Sequence, residues 1–227
     1  VTMGMAVVPM ISPAIGGLLD EFLGWKANFW AFFLVGCALF ALIWRDLGET
    51  VKPSGLTLTQ QFKEYPELLR SPRFWGYCLA SAFSSGAFFA YLGGGPFVGS
   101  VVFGMTPKWV GIFFGAPAIG YFAGNWFTGR NAQRLGVNKL ILWGAIAVSS
   151  GTALMLVIFW AGFGSAATFF GLMTIVGLGN GMVIPNATAG MLSARPHLAG
   201  TASGLGGAIM IGGGACLASL AVFLLKP

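Results

Sequence analysis

Seven hydrophobic stretches follow one another along this chain, at residues 3–19, 27–44, 74–95, 109–128, 138–160, 166–188 and 201–225, with short charged loops between them. An α-helix rises about 1.5 Å per residue, so about 20 mostly apolar residues cross the hydrocarbon core of a bilayer. The first two stretches lie at the short end of that range. Hydrophobic residues make up 56% of the chain and charged residues 8%, a balance that suits lipid and leaves little chain for a separate soluble domain. The expected fold is all-α: a polytopic membrane helical bundle with seven transmembrane helices.

The net charge of +6 reports topology once the charges are placed. All six acids (Asp20, Glu21, Asp46, Glu49, Glu64, Glu67) and four bases fall in residues 1–67, whereas residues 68–227 hold eight bases and no acid. Nearly all sit in loops or at helix ends, and none form a basic nucleic-acid groove. Nine bases share one side of the bundle, in loops 45–73, 129–139 and 189–200, against Lys26, Lys108 and Lys226 on the other. The positive-inside rule puts those three loops in the cytoplasm, so the first helix runs outward.

Catalytic chemistry finds no foothold. The single histidine, His197, stands beside Pro196 and reads as a turn residue. There is no His-Glu-x-x-His, no paired membrane aspartates, no Gly-x-Ser-x-Gly elbow and no phosphate-binding Gly-x-x-x-x-Gly-Lys loop, so protease, hydrolase and ATP-driven pump readings fail. Cys37, Cys78 and Cys216 fall within expected spans as small buried hydrophobes, without disulfide or metal spacing. The chain opens Val1-Thr2-Met3 without a basic segment before its first apolar run, which reads as a chain entered partway through a protein and not as a signal peptide.

Residues 45–73 are the one sizeable polar segment. Thr57-Leu58-Thr59-Gln60 has the form of a helix capping box, and Leu58, Phe62, Tyr65 and Leu69 recur at helical spacing. A surface amphipathic helix is expected there, shortened or bent at Pro66. Within the spans, Gly111-x-x-x-Gly115, Gly120-x-x-x-Gly124 and Gly177-x-x-x-Gly181 are small-residue pairs that let helix backbones approach in lipid. Gly200, Gly204, Ala208, Gly212 and Cys216 form a four-residue ridge on the last helix, expected to pack in the same way. Helix breakers fall at mid-membrane or span ends: Pro9, Pro13, Gly93-Gly94-Gly95-Pro96, Pro117 and Pro185. Such breaks occur in transporters, where freed carbonyls find protein or water.

The membrane interior is polar but uncharged. Tyr77, Ser81, Ser84, Ser85 and Tyr91 lie along the third span with Phe83, Phe88 and Phe89, Asn125 and Trp126 close the fourth, and Asn180 and Asn186 sit in the sixth. Aromatic faces with a few polar groups suit a lipophilic, often cationic, ligand. Proton coupling needs a titrating group in the membrane. From residue 68 onward no acid is present, so a coupling group is expected outside this chain.

The order of these segments resembles the major facilitator superfamily, most closely its bicyclomycin-resistance (Bcr/CflA) branch of multidrug efflux proteins. Ser12-Pro13-Ala14-Ile15-Gly16-Gly17 resembles the end of the antiporter motif Gly-Pro-x-x-Gly-Gly, with Ser12 in place of a glycine. Leu47-Gly48-Glu49-Thr50 is similar to the Leu-Pro-Glu-Thr that opens the family's central loop, and Arg70-Ser71-Pro72-Arg73-Phe74 to the entry of its seventh helix. Gly95-Pro96-Phe97-Val98, Arg134-Leu135-Gly136 and the run from Pro185-Asn186-Ala187 to Ala199-Gly200-Thr201-Ala202-Ser203-Gly204 match further joints.

The resemblance implies helices five to eleven of twelve. Residues 1–45 would be the last two helices of the N-terminal bundle, 46–73 the cytoplasmic central loop, and 74–227 five helices of the C-terminal bundle. It implies a bacterial inner-membrane antiporter that exports small lipophilic compounds by alternating access. The proton gradient would be its energy source, with no cofactor or metal, and the full-length protein would be monomeric. In that frame Ser12, Pro13, Gly16 and Gly17 shape a bendable helix at the bundle interface. Tyr77, Ser84, Phe88, Tyr91 and Asn180 line the cavity, and Pro96, Pro185, Gly200 and Gly204 serve as hinges or packing points. A facilitator for a metabolite such as a sugar or amino acid, or a seven-helix receptor without a transport cycle, are the alternatives.

Overall fold

The computed structural model describes Ser12, residues 15–46 and residues 65–224. The first expected span apart from its end, Pro13 of the antiporter motif, the Thr57–Gln60 capping box, Leu58 and Phe62, and Lys226 lie outside the described residues. Residues 15–23 are helical and turn at Gly24, whose φ of 78° is a left-handed conformation open to glycine, into α1 (Lys26–Asp46). The bundle follows: α2 (Pro72–Phe97), α3 (Pro107–Phe114), α4 (Ala116–Leu135), α5 (Val137–Trp160), α6 (Ala166–Ala194) and α7 (Ala199–Leu224).

Local sequence sets the ends of these helices. The Ser71 hydroxyl accepts from the Phe74 N–H at 3.4 Å while Pro72 supplies a preset φ, which starts α2. At α6 a reciprocal capping box forms: Ser165 Oγ accepts from the Thr168 N–H, and Thr168 Oγ1 accepts from the Ser165 N–H at 2.8 Å. Gly136, with φ 79°, ends α4 and lets α5 begin at once.

Five described helical segments are long and apolar enough to span a membrane: Lys26–Asp46, Pro72–Val102, Val137–Trp160, Ala166–Ala194 and Pro196–Leu224. Two departures from the expected stretches have clear causes. The third span runs past residue 95, because α2 continues through Pro96 into a π-helical turn at Val98–Val102. The expected 109–128 helix is broken at Gly115 into α3 and α4. Pro117 has no N–H to give the preceding turn, and the second half carries Asn125, Arg130, Asn131, Gln133 and Arg134.

Helix α6 is the hub, packing on α4, α5, α2 and, less extensively, α7, while α2 and α7 form the other close pair. Glycine makes the closest seams. A Cβ on Gly120 or Gly124 would collide with the α6 backbone at Thr174 or Leu178, and one on Gly177 or Gly181 with the α4 backbone at Pro117 or Tyr121. Two of the three expected Gly-x-x-x-Gly pairs therefore meet face to face. Gly144 and Gly179 do the same for α5 and α6, each within 2.7 Å of the other's carbonyl if a Cβ were added. Without a hydrophobic drive between helices in lipid, such backbone contact supplies the dispersion that holds the bundle.

The ridge expected on α7 is not the packed face. A Cβ at Gly200, Gly204 or Gly212 meets nothing within 4 Å, and Cys216 is exposed. Helix α7 packs instead through Ala202, Gly206 and Gly214, where Met191 and Phe89 fill the glycine notches. Its small residues form rows on more than one face, and spacing alone cannot choose between them. Cys78 is buried as expected, but Cys37 joins Cys216 on the surface.

In the short helical turn at 65–69, Leu68 is fully buried and Leu69 is exposed. The chain turns at Arg70–Ser71, which drives Leu68 onto Phe74, Cys78, Met191 and Leu198. Beside it, Glu67 accepts from Arg195 Nε at 3.2 Å and lies 3.3 Å from His197 Nε2, joining this turn to the α6–α7 joint. No described residue of α1 is buried; Phe29, Trp30, Phe33, Phe40 and Trp44 present apolar surface around it.

Candidate functional site

Tyr77, Ser84, Phe88 and Tyr91 sit seven, four and three residues apart, so they share one stripe of α2 about 21 Å long. Helical periodicity turns that stripe toward α6. At its middle, Ser84 Oγ donates to Asn180 Oδ1 at 2.6 Å, both side chains almost wholly buried. This pair joins α2 directly to α6. A hydroxyl and an amide taken out of water satisfy one another across the seam.

The rest of the stripe divides. Toward the basic end, Tyr77 donates to Asn138 Oδ1 at 2.8 Å, and its ring fills the notch left by Gly190. Toward the opposite end, Phe88 and Tyr91 enter an aromatic cluster. Tyr91 stacks on Phe114 with centroids 4.6 Å apart, and meets Phe170 edge-on at 6.2 Å. The structure thus joins Ser84 to Asn180 and Phe88 to Tyr91, with Tyr77 held separately.

Two helix breaks release carbonyls, and a hydroxyl from a neighbouring helix answers each. Pro185 has no N–H for the Gly181 carbonyl one turn earlier; Thr128 Oγ1 of α4 donates to it at 3.4 Å. Asn186 Nδ2 donates to Met182 O at 2.6 Å and to Thr128 Oγ1 at 3.4 Å, completing a buried polar knot between α4 and α6. At the Gly115 break the Ala118 N–H turns to Gly115 O, and Tyr91 Oη donates to the Phe114 carbonyl at 3.1 Å. Asn125 is buried beside these groups: its Nδ2 donates to Tyr121 O at 2.9 Å, and its Oδ1 has no protein donor.

Open space lies between residues 16–29 and the α2–α3 corner. One cleft of about 590 Å³ is lined by Gly17, Leu18, Asp20, Glu21, Thr106, Pro107, Lys108, Gly111 and Ile112. A neighbouring one of about 500 Å³ adds Gly16, Trp25, Asn28, Phe29, Pro96, Ser100 and Phe114. Asn28 Nδ2 donates to Gly16 O at 3.3 Å, fixing the hairpin between the 15–23 helix and α1. Gly17 has nothing within 4 Å of a would-be Cβ, and Ser12 is exposed. The antiporter-motif glycines therefore border a gap, across which stands α3. Two carboxylates on one wall and Lys108 on the other give the gap opposite charges on its two sides.

Two further positions were beyond sequence reasoning. Pro185 marks the freed Gly181 carbonyl, but nothing in the pattern points to Thr128 as its donor. Gly95 and Gly99 received no packing role, yet they seat α3: a Cβ on Gly95 would lie 2.9 Å from Phe114 Cε2, and one on Gly99 3.0 Å from Val110 Cγ2.

The pattern of the Major Facilitator Superfamily matches residues 1–219. The chain belongs to the major facilitator superfamily. Multidrug resistance protein D of Escherichia coli is 32% identical over 225 residues, covering 98% of this chain and 56% of that protein. An uncharacterized MFS-type transporter of Bacillus subtilis is 30% identical over 88% of this chain and 51% of its own length. The bicyclomycin resistance protein homolog of Haemophilus influenzae is 28% identical over 97% of this chain and 56% of its own. The chain spans about half the length of these curated relatives. Its likeness to the bicyclomycin-resistance branch holds over almost every residue. As a member of a transporter family with several membrane-spanning helices, it is a membrane protein.

Proposed function

We propose that this chain is the last two helices of the N-terminal bundle, the central loop and most of the C-terminal bundle of a multidrug exporter driven by proton antiport. The observation that carries the reading is the similarity of 95–98% of the chain to proteins named for multidrug, bicyclomycin and chloramphenicol resistance. The interior supports it chemically. Residues 68–227 contain no acid, and the buried polar groups of the bundle are neutral hydroxyls and amides set among aromatic rings. Such a surface offers an organic compound dispersion, stacking and single hydrogen bonds, and it offers a small anionic metabolite nothing to pair with.

Alternating access requires a surface that opens while another closes. In this reading the cleft between residues 16–29 and α3 is the outward gap between bundles, and the 65–73 and 195–198 segments stand at the cytoplasmic side of the inner membrane. Gly16 and Gly17 let the helix that carries them close on α3. The compound would pass along the α2–α6 seam when the Ser84–Asn180 contact loosens. The proton-carrying group lies outside residues 68–227. Expression of the complete gene product in a pump-deficient bacterial strain tests this. Raised tolerance to chloramphenicol or bicyclomycin, lost when the proton gradient is collapsed, is the expected result; unchanged tolerance with the protein present in the membrane contradicts it.

A further inference from the structure

The Gly115 break presents an exchange that the helix pattern does not require. In an unbroken helix the Phe114 carbonyl would accept from the Ala118 N–H. Here Ala118 donates to Gly115 O at 3.0 Å, and Tyr91 Oη of α2 supplies Phe114 O from the side at 3.1 Å. We infer that Tyr91 O–H and Ala118 N–H are alternative donors to the Phe114 carbonyl, and that their exchange makes the Gly115 junction a two-state hinge carrying α3.

Three observations support the exchange. Pro117 cannot donate to Phe113 O, so the helix is already weakened at this turn and bends at low cost. The stacked rings of Tyr91 and Phe114 keep the hydroxyl within reach of the carbonyl whichever donor is in use. Gly95 and Gly99 give α3 a smooth seat on which Phe114 and Val110 can shift, since neither glycine has a side chain to interlock. Leaving this half-buried carbonyl without a donor costs free energy, so each state has a hydrogen bond and intermediate positions do not. That is what makes the hinge two-state.

The arm that swings is the wall of the open cleft. Thr106, Pro107, Lys108, Gly111 and Ile112 face Gly17, Asp20 and Glu21 across it. Straightening at Gly115 would move this wall relative to the bundle. Its use in a transport cycle rests on the export reading above; the hinge itself does not.

The test uses the complete gene product in lipid nanodiscs, with spin labels on α3 at Trp109 and on α5 at Leu156, both exposed positions, and with Cys37 and Cys216 replaced by serine. Tyr91→Phe keeps the ring stack and removes the donor. Pro117→Ala returns an N–H to the broken turn. Each is expected to shift the α3–α5 distance distribution in the same direction, changing the ratio of the two populations about two- to tenfold, the factor set by the net worth of one hydrogen bond. An unchanged distribution in either variant overturns the hinge, so failure of one to fold leaves the other decisive. Drug efflux by Tyr91→Phe separates the two readings. A shifted distribution with lowered Vmax and unchanged KM supports the hinge and its role in the cycle; a shifted distribution with unimpaired efflux confines Tyr91 to structure. No efflux by the wild type removes the export reading and leaves the distance result standing.

Discussion

Ser84 and Asn180 form a pair whose worth depends on the company each keeps after the other is lost. Ser84→Ala leaves a buried carboxamide oxygen without its donor, and the Asn180 amide finds no water in the seam. A double-mutant cycle of Ser84→Ala and Asn180→Ala, read by unfolding in denaturing detergent, is expected to give a coupling of about 0.6 to 1.7 kcal/mol, the range for polar pairs inside membrane bundles. Additive losses would show that the pair is adjacent without being coupled. Thr128 admits a sharper check because its partner is free only on account of a proline. Thr128→Val should destabilise the protein by about 1 to 3 kcal/mol by stranding the Gly181 carbonyl. Pro185→Ala, by restoring the N–H that this carbonyl would otherwise use, should suppress most of that loss. A loss of the same size in both backgrounds would mean that Thr128 stabilises by packing alone.

Glycines on three helices give the same distinction between contact and open space. Gly120→Ala and Gly177→Ala place a methyl group against backbone that cannot step aside, and are expected to cost about 1 to 3 kcal/mol or more through helix separation. Gly204→Ala adds a methyl group to open space and should change stability by no more than about 0.5 kcal/mol. Equal effects at the two kinds of site would refute the assignment of the packed faces; thermal unfolding in mild detergent reads both. The sequence anticipated the Gly120 and Gly177 seams because paired glycines on both partners leave one way to mate. On α7, Gly200 and Gly204 stand on one four-spaced row while Ala202, Gly206 and Gly214 stand on another, and the partner's shape decides between them. Helix existence was legible from apolar length and Pro117 marked the turn that breaks at Gly115, whereas the continuation of α2 through Gly93–Pro96 into a π-helical turn was not legible. Where a proline bends a helix depends on which neighbour can satisfy the freed carbonyl, and Tyr91 is 23 residues away from Phe114 in the chain. Leu68 illustrates the same limit: helical spacing did not single it out, and the turn at Arg70 places it in the core.

At the scale of the whole molecule, the hub helix α6 and its partners form a packed body, and open space lies between residues 16–29 and α3. In the proposed cycle the gap acts through Gly17, which borders it and where an added Cβ would meet nothing within 4 Å. Gly17→Leu therefore fits the open arrangement and obstructs closure. Export is expected to fall to background while membrane insertion and thermal stability stay at wild-type values, and undiminished export would remove the glycine from the gating motion. Residue type and helix face singled out Tyr77, Ser84, Tyr91 and Asn180 in the sequence, but their hydrogen-bond partners, Asn138 and the Phe114 carbonyl among them, required the fold. The central claim is that the complete protein exchanges a lipophilic drug for protons. The most direct measurement is made in proteoliposomes loaded with a pH-sensitive dye, with drug added on one side and no imposed gradient. The account predicts drug-dependent proton movement of opposite direction to the drug, abolished in Gly17→Leu. Drug movement without proton movement would contradict the antiport mechanism, and absence of both would contradict export itself.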